Sequence, residues 1–369
     1  MVKVEETEED KPVSDTQREM TGEDYFRLAE SQARKLYPDL ESAWENYNQA
    51  AEMGYSRAFS VIGRHYYYGI YMNPSIENAL RCYKKAAAHG DPVGIYQLGN
   101  FYQEGIGLPR NSKKAKEYFE RFLKMAKQEE FRNDPQVMTC VALVYMNGGG
   151  VKKDEKKAVQ IMRQSAEMGD PLAQHNLAVC LRDGVEVEKS PEQACRWFRK
   201  AAEQGRAISQ LLLGMCYEDG EGVPKSSDKA VEWYEHAAEQ GYPDAQLKLG
   251  WYYQKSDFVS SRREAVEWFR KAAERGSAEG QMCLGSCYQL GDGVPQDFDE
   301  AFHWIQLAAE QDLQLAQFAM GMCYEIGAGV KADKKEAIKW YQKAVKNPEQ
   351  IGDLKESAMD ALKKLKQKK

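Results

Sequence analysis

The sequence contains no apolar run of the roughly 20 residues that a membrane-spanning helix needs. Its first residues, MVKVEETEED, also lack the apolar core of a secretory signal. The two absences argue against the common signatures of membrane-anchored and exported proteins. We therefore expect no membrane association and a cytoplasmic location for the chain.

The residue sets that build metal and catalytic sites are scarce as well. The 8 cysteines include no C-x-x-C pair, and no two of the 5 histidines lie at metal-ligand spacing on one helix. His65 is interpreted as structural, and His175 as structural or groove-facing. No nucleophile, base and orienting group can be assigned together. The sequence therefore predicts neither an enzyme nor any metal or cofactor site, and the thiols are expected to be reduced and buried.

An excess of basic charge is missing too. Lys and Arg number 51 against 57 Asp and Glu, which gives a net charge of −6, whereas a nucleic-acid-binding protein usually presents a basic face. One basic cluster lies at the C-terminus, at Lys363, Lys364, Lys366, Lys368 and Lys369. We interpret it as a solvated helix end in preference to a membrane or nucleic-acid patch.

Repetition, by contrast, dominates the chain. With Gly214 as position zero, equivalent small residues recur at intervals of 35, 36 or 43 residues. They are Gly63, Gly99, Ala142, Ala178, Gly250, Gly285 and Gly321. A tyrosine follows three positions later in seven of the eight copies, and a glycine six positions later in seven. Eight full copies therefore occupy residues 58–345, after a degenerate copy at 21–57 that is expected to cap the stack.

Each copy has the pattern of two amphipathic helices joined by a glycine-rich loop. Leu213, Gly214 and Tyr217 share one face of the first helix, and Gly214 is expected to let a neighbouring helix backbone approach closely. The second helix is expected to end in a left-handed glycine cap. The cap glycines are Gly54, Gly90, Gly169, Gly205, Gly241 and Gly276. Each unit is thus predicted to be a helical hairpin that buries its apolar face by stacking on its neighbours.

The joining loops carry Gly-x-Gly at 105–107, 148–150, 220–222, 291–293 and 327–329. A phosphate-binding loop follows a strand, whereas these loops lie between two predicted helices. We expect the loop in every copy to need backbone angles that favour glycine, which makes these glycines structural.

The units resemble the Sel1-like repeat family, a relative of the tetratricopeptide repeat. The resemblance is carried by Gly220-Glu221-Gly222-Val223, Lys229-Ala230, Trp233-Tyr234 and Ala237-Ala238-Glu239-Gln240-Gly241. It implies an all-α, right-handed superhelix of helix-turn-helix repeats that acts as an adaptor for a protein or peptide partner. Some members staple the two helices of a unit with a disulfide, and that regular pairing is absent here. Some bacterial members are secreted or host-directed, so a factor acting on host or cell-envelope components remains the alternative.

Two units and both ends depart from the pattern. In the unit that starts near Val93, the second helix is predicted to be longer, roughly Ser112 to Glu130, with an altered superhelical step. We interpret this as a tolerated insertion, although a hinge or an extra docking surface remains open. The unit from Ala245 lacks the Gly-x-Gly loop.

Residues 1–20 are acidic and are expected to be disordered. Residues 346–369 are expected to form an amphipathic capping helix with a basic tail. Its apolar positions are Ile351, Leu354, Ala358, Leu362 and Leu365.

The face of each first helix that is not used within its own hairpin is the candidate partner surface. Positions −3, +1 and +4 centre on this face, which by resemblance to tetratricopeptide repeats is the concave side. In the later units it is apolar, with polar flanks. The candidate partner-binding residues are Leu211, Met215, Leu247, Trp251, Met282, Phe318 and Met322, flanked by Glu218, Gln254, Gln289 and Glu325.

Two interpretations of this face remain open. In the first, neighbouring first helices cover one another there in the superhelix, and the residues are packing residues. Alternatively they form an apolar trough for a helix or peptide of a partner protein, with Met for adaptability and Trp as an anchor. We expect a monomer that binds protein, with neither a nucleic-acid nor a membrane partner.

Overall fold

The computed structural model describes residues 19–255, 257–348 and 353–367. Within these residues the chain forms helices and no strands. The helices are Gly22–Ala33 (α1), Leu40–Glu52 (α2), Ser56–Tyr68 (α3), Ile76–Ala88 (α4), Pro92–Glu104 (α5), Ser112–Met125 (α6), Pro135–Asn147 (α7), Glu155–Glu167 (α8), Pro171–Asp183 (α9), Pro191–Glu203 (α10), Ala207–Asp219 (α11), Ser227–Glu239 (α12), Pro243–Gln254 (α13), Val259–Glu274 (α14), Ala278–Leu290 (α15), Phe298–Glu310 (α16), Gln314–Ile326 (α17), Lys334–Lys346 (α18) and Leu354–Gln367 (α19).

Consecutive helices pack as hairpins, from α1 with α2 to α17 with α18, and each hairpin packs on the next. The final helix, α19, lies against α17 and α18 and buries Ala358 and Leu365 there. The predicted all-α solenoid and its C-terminal capping helix are therefore confirmed. The predictions for residues 1–18, Ser256, Ile351, Lys368 and Lys369 lie outside the described residues.

Helix starts follow the capping chemistry of the sequence. Asp91, Asp134 and Asp170 precede proline at the first position of α5, α7 and α9, and each accepts a hydrogen bond from a backbone N–H of the first turn. These bonds satisfy donors that have no partner within the helix. At the other end, α11 stops at Gly220, which adopts a left-handed conformation with φ of 77°.

The small residue at position zero makes room for a side chain of the second helix. A Cβ on Gly214 would lie 2.5 Å from Cε1 of Tyr234, and one on Gly250 would lie 2.3 Å from Cε1 of Phe269. Both rings come from the second helix of the same hairpin and are buried. The predicted close approach of a helix backbone holds at Gly214, where the carbonyl oxygen of Ala230 would lie 3.1 Å from the Cβ, but the nearest atoms belong to a large side chain.

The second glycine of the Gly-x-Gly loop is needed for contact with the preceding hairpin. Gly222 has φ of 72°, and a Cβ there would lie 2.3 Å from the carbonyl oxygen of Pro191. Pro191 begins the second helix of the preceding hairpin. The loop therefore lies directly on that helix start, and the structural interpretation of these glycines is confirmed.

The two unusual units differ from the pattern in different ways. α6 ends at Met125, so the prediction of a helix to Glu130 is wrong. Residues 126–133 form successive turns, in which the N–H of Gln128 bonds to the carbonyl of Met125 and that of Phe131 to Gln128. In the unit without Gly-x-Gly, α13 ends one residue early and α14 is lengthened to 16 residues.

A recurring buried glutamine links successive hairpins. Its Nε2 donates to a backbone carbonyl near the end of the preceding second helix, eight residues earlier in the chain. The bonds are Gln174 to Ala166 at 3.2 Å, Gln210 to Ala202 at 3.1 Å, Gln246 to Ala238 at 3.1 Å and Gln281 to Ala273 at 3.3 Å. Each of these carbonyls also accepts from the N–H of the glycine three residues later, so the glutamine adds a second hydrogen bond at the helix end.

The stack of hairpins curves toward the first helices, so that later hairpins contact earlier ones. Successive first helices, such as α3 and α5, pack together more extensively than successive second helices do. The rings of Tyr37 and His236 lie 4.8 Å apart, which brings the first hairpin against the sixth. Nη1 of Arg275 donates to the carbonyl of Gly69 at 3.4 Å, which joins the seventh hairpin to the second. We call this contact between successive superhelical turns the seam.

Candidate functional site: the inner surface of the first helices

Position −3 of each first helix contacts the start of the next first helix. The hydroxyl of Ser60 donates to Asp91, and Oγ1 of Thr139 donates to Oδ2 of Asp170 at 2.8 Å, so both reach the N-cap residue of the following first helix. Nδ1 of His175 lies 3.0 Å from Oγ of Ser209, which belongs to the first turn of the following first helix, α11. Curvature toward the first helices therefore turns this position into a packing position.

Three of the candidate partner-binding residues lie at position −3 and are buried. Leu211, Leu247 and Met282 are 6%, 4% and 9% exposed. Their burial leaves little surface for a partner in this conformation, which favours the packing interpretation for these three residues. Phe318, at the same position in the last hairpin, is half-buried, and its ring centroid lies 5.5 Å from that of Tyr341.

Position +1 forms the open row of the inner surface. Trp251 and Met322 are 40% and 37% exposed, and Met215 is half-buried. Leu143 and Val179, which were not selected from the sequence, are half-buried at the same position of α7 and α9. We call this set the inner row. Its members are Arg64, Asn100, Leu143, Val179, Met215, Trp251, Ser286 and Met322.

The polar flanking residues are mostly engaged within the chain. Oε2 of Glu218 accepts hydrogen bonds from Tyr234 Oη at 2.6 Å and from Lys248 Nζ at 2.7 Å. Burial by itself would raise the pKa of Glu218, but these two hydrogen bonds outweigh it and lower the pKa below its usual value. The carboxylate of Glu218 is therefore already bound within the chain.

The other three flanking residues differ in how far they are engaged. Glu325 accepts from Tyr341 Oη at 2.8 Å. Gln254 donates to Oδ2 of Asp292 at 3.1 Å. Gln289 is half-buried on α15.

A cavity of about 470 Å³ opens beside Trp251. It lies between the α11–α12 hairpin and α13, and Val231, Tyr234 and Tyr252 contribute to its lining. Tyr252 stands two residues after position zero and is exposed. Cys216 and Cys287, at the same position of α11 and α15, are buried. The unit without the Gly-x-Gly loop thus adds an aromatic pair, Trp251 and Tyr252, to the inner surface.

The histidines are embedded in packing. Burial lowers the pKa of His65 and of His175 to about 3, so both are neutral at physiological pH. His175 lies at position −3 and is buried, so its groove-facing interpretation is wrong. Seven of the eight cysteines are buried and Cys283 is half-buried, and all eight are free thiols.

The described residues contain neither a metal-ligand cluster nor a membrane-spanning helix. No three His, Cys, Asp or Glu side chains within residues 19–255, 257–348 and 353–367 gather where they could hold a metal ion. In the same part of the chain, no helix combines the length and apolar character needed to cross a bilayer.

A family model described as Sel1 repeat matches nine segments of the chain. They are residues 23–55, 61–91, 92–125, 138–170, 171–205, 207–242, 243–277, 278–313 and 314–348. Each segment corresponds to one helical hairpin, so the degenerate leading copy is matched together with the eight full copies.

Two solved structures resemble the chain over most of its length or theirs. A protective antigen of uropathogenic Escherichia coli with an SLR fold is 30% identical, with a TM-score of 0.62 over 94% of this chain and 73% of the antigen chain. A Sel1 repeat protein from Oxalobacter formigenes is 32% identical, with a TM-score of 0.58 over 68% of this chain and 99% of the other.

One curated relative is similar over a shorter stretch. It is the ERAD-associated E3 ubiquitin-protein ligase component HRD3B of Arabidopsis thaliana, with 37% identity over 110 residues. The match takes in 29% of this chain and 16% of that protein.

Proposed function

The chain belongs to the Sel1 repeat family, and from this premise we propose that it is a non-enzymatic adaptor that holds a peptide or helix of a partner protein along its inner row. Sel1 repeat proteins are generally scaffolds for protein–protein interaction, and their fold is typically a non-enzymatic binding scaffold. The coarser role follows from the family, and the binding surface is our proposal.

The observation that carries the proposal is an apolar stretch in the middle of the inner row. Leu143, Val179, Met215 and Trp251 come from four successive first helices, and none of them is fully buried. An extended or helical peptide binds such a row by placing regularly spaced side chains against it. Met215 supplies a side chain that adapts its shape, and the exposed Trp251 supplies a large anchor beside the cavity.

The similar proteins favour two settings for this activity. Similarity to a component of an E3 ubiquitin ligase favours an adaptor inside a larger assembly, and we place such an adaptor in the cytoplasm as a monomer. Similarity to a bacterial protective antigen over 94% of this chain favours the alternative, a secreted or host-directed factor. Cell fractionation separates the two settings, and size-exclusion chromatography with light scattering measures the oligomeric state.

The binding surface is tested with Met215→Glu and Trp251→Glu in one variant. A partner identified by mass spectrometry is purified, and its affinity is measured by isothermal titration calorimetry. Two charges placed in an apolar anchor site should weaken binding at least about 100-fold. Met168→Glu, at an exposed methionine outside the inner row, is the matched control and should bind like the wild type. Unchanged affinity of the double variant would contradict the proposal.

A further inference from the structure

The loop after α7 meets the preceding hairpin at an unusual place. In four other units, the second glycine of the Gly-x-Gly loop lies near the start of the preceding second helix, three residues before a buried alanine of that helix. The contacts pair Gly107 with Ile76, Gly222 with Pro191, Gly293 with Arg262 and Gly329 with Phe298. Gly150 instead has Lys116 and Phe119 of α6 as its neighbours, and Lys116 comes directly after the equivalent buried Ala115. The loop therefore meets α6 about one helical turn further along.

The extra turns between α6 and α7 explain this displacement. Residues 126–133 separate the two helices and lengthen the repeat from 36 to 43 residues at this point. Because α7 begins later relative to α6, the loop that follows α7 does not lie over the first turn of α6. The start of α6 is therefore left uncovered, where other hairpins receive a loop glycine.

The uncovered space is a cavity of about 570 Å³. It lies between the first two turns of α6 and the loop after α7, and Phe119 is part of its lining. Its uncharged polar lining residues are Gln103, Ser112 and Asn147. The volume is within the range of about 300–1,000 Å³ that is usual for ligand sites. The extra docking surface that the sequence left open thus has a definite place.

The lining of this cavity is basic. Arg110, Lys116 and Lys152 contribute to it, and none of the described residues that line it is acidic. Lys116 lies 3.8 Å from Glu120, in an exposed pair that contributes little. Within the described residues, Arg110 and Lys152 form no ion pair. The three cations belong to two hairpins, so only the packing of one hairpin on the next brings them to one cavity.

We propose that this cavity binds a phosphorylated side chain of a protein partner. A phosphoryl group carries a charge of about −1.5 to −2 at neutral pH and three acceptor oxygens, so it can pair with all three cations. A carboxylate has one charge and two oxygens, which a single guanidinium already satisfies. Free phosphate would fill a small part of the cavity, whereas a phosphorylated residue also brings its backbone to the amide of Asn147.

The position of the three cations favours a single side chain over an extended anionic surface. Nucleic acids and anionic membranes are bound through many charges spread over a face. Here the charges line one cavity, on a chain whose net charge is −6. None of the lining residues belongs to the inner row, so this site goes beyond the proposed function and is tested separately from it.

The test uses the full chain at about 150 mM salt, where weak surface charge effects are screened. The probe is a capped peptide of glycines with one central phosphoserine. Its comparisons are the same peptide with serine, inorganic phosphate, and vesicles that contain phosphatidylserine. In an NMR titration, the phosphopeptide should shift the backbone amide signals of Ser112, Lys116 and Gly150, and the serine peptide should not. The phosphopeptide should also bind severalfold more tightly than inorganic phosphate.

Variants locate the bound group. Arg110→Gln and Lys152→Gln should each weaken phosphopeptide binding about tenfold, the loss typical of one charge-assisted hydrogen bond. Ser112→Glu should abolish binding, because it places a negative charge in the cavity. It should melt like the wild type, because an acidic residue is favourable in the first turn of a helix. Lys225→Gln, at the loop position of another hairpin that corresponds to Arg110, is the matched control and should bind within twofold.

Four results would overturn the proposal. The first is the absence of any shift at Ser112, Lys116 and Gly150 with the phosphopeptide. Equal phosphopeptide affinity in Arg110→Gln and Lys225→Gln would place the phosphoryl group outside the cavity. Inorganic phosphate that binds as tightly as the phosphopeptide would make this a site for a free anion. Vesicle binding that Ser112→Glu removes, without phosphopeptide binding, would assign the cations to a membrane surface. The probe has no apolar side chain, so none of these results bears on the inner row.

Discussion

Single residues in this protein act mainly through fit and desolvation. Gly214 leaves room for the ring of Tyr234, and Phe269 fills the same place at Gly250. Among the polar side chains in this packing, the recurring glutamines donate hydrogen bonds and two histidines remain neutral. His65 and His175 are neutral because burial disfavours their charged forms.

The buried His175 predicts a pH dependence of stability. Its folded pKa of about 3 lies below the ordinary value of 6.5. The unfolded chain therefore takes up a proton that the folded chain refuses, so stability is complete above pH 6.5 and falls as the pH drops toward 3. Between pH 7 and pH 5, one such group should cost about 2 kcal/mol.

The measurement is urea unfolding of wild type and His175→Gln at pH 7 and pH 5. The variant should lose about 2 kcal/mol less than the wild type across this interval, and its amide can still bond to Ser209. His303→Gln, at an exposed histidine of α16, is the matched control. Equal losses in wild type and His175→Gln would refute the assignment.

Helices are joined to one another by polar groups at their ends. Arg57 of α3 binds Asp91, the N-cap of α5, at 2.7 Å, and Asp134, the N-cap of α7, at 3.0 Å. Nη1 of Arg57 also donates to Oε1 of Gln136 at 3.0 Å. One side chain thus ties three first helices together, at 12% exposure.

Arg57→Met should destabilise the protein by about 2–4 kcal/mol, because two carboxylates would lose their partner in a poorly solvated place. Arg27→Met removes an exposed pair with Glu23 and should change stability by less than about 1 kcal/mol. Denaturant unfolding of both variants measures the difference. A cost for Arg57→Met no larger than that for Arg27→Met would show that the three-helix tie adds nothing.

The recurring glutamine has a period that the sequence shows and a hydrogen-bond partner that the sequence does not show. It stands four positions before zero in five of the eight copies, at Gln174, Gln210, Gln246, Gln281 and Gln317. Its period was visible in the sequence. Its role was not, because in the first four copies the acceptor is a carbonyl at the end of another helix, which becomes a neighbour only when hairpins stack. Gln317 donates to Oδ1 of Asp312 instead.

The whole molecule is held by the seam as well as by neighbouring hairpins. Gly205 is one of the glycines after a second helix, and a Cβ there would lie 2.5 Å from the carbonyl oxygen of Lys35 in the first hairpin. In a simple solenoid each repeat contacts only its neighbours. Here the first hairpin also depends on the fifth and sixth.

Gly205→Ala should therefore loosen the first hairpin, and Gly169→Ala should not. Both glycines have positive φ, 78° and 96°, so both variants carry similar backbone strain, but nothing lies within 4 Å of a Cβ at Gly169. Hydrogen exchange of the α1 and α2 amides should rise severalfold in Gly205→Ala alone. Equal exchange in the two variants would mean that the seam does not stabilise the first hairpin.

The sequence by itself determined the helical hairpins, their number, their caps and the small residue at position zero, because these depend on residues close together in the chain. It also placed the candidate surface on the first helices of the hairpins. Only the tertiary structure decided which part of that surface is open. Because the stack curves, position −3, including Leu211, packs onto the next first helix. Position +1, including Trp251, remains accessible on the inner surface.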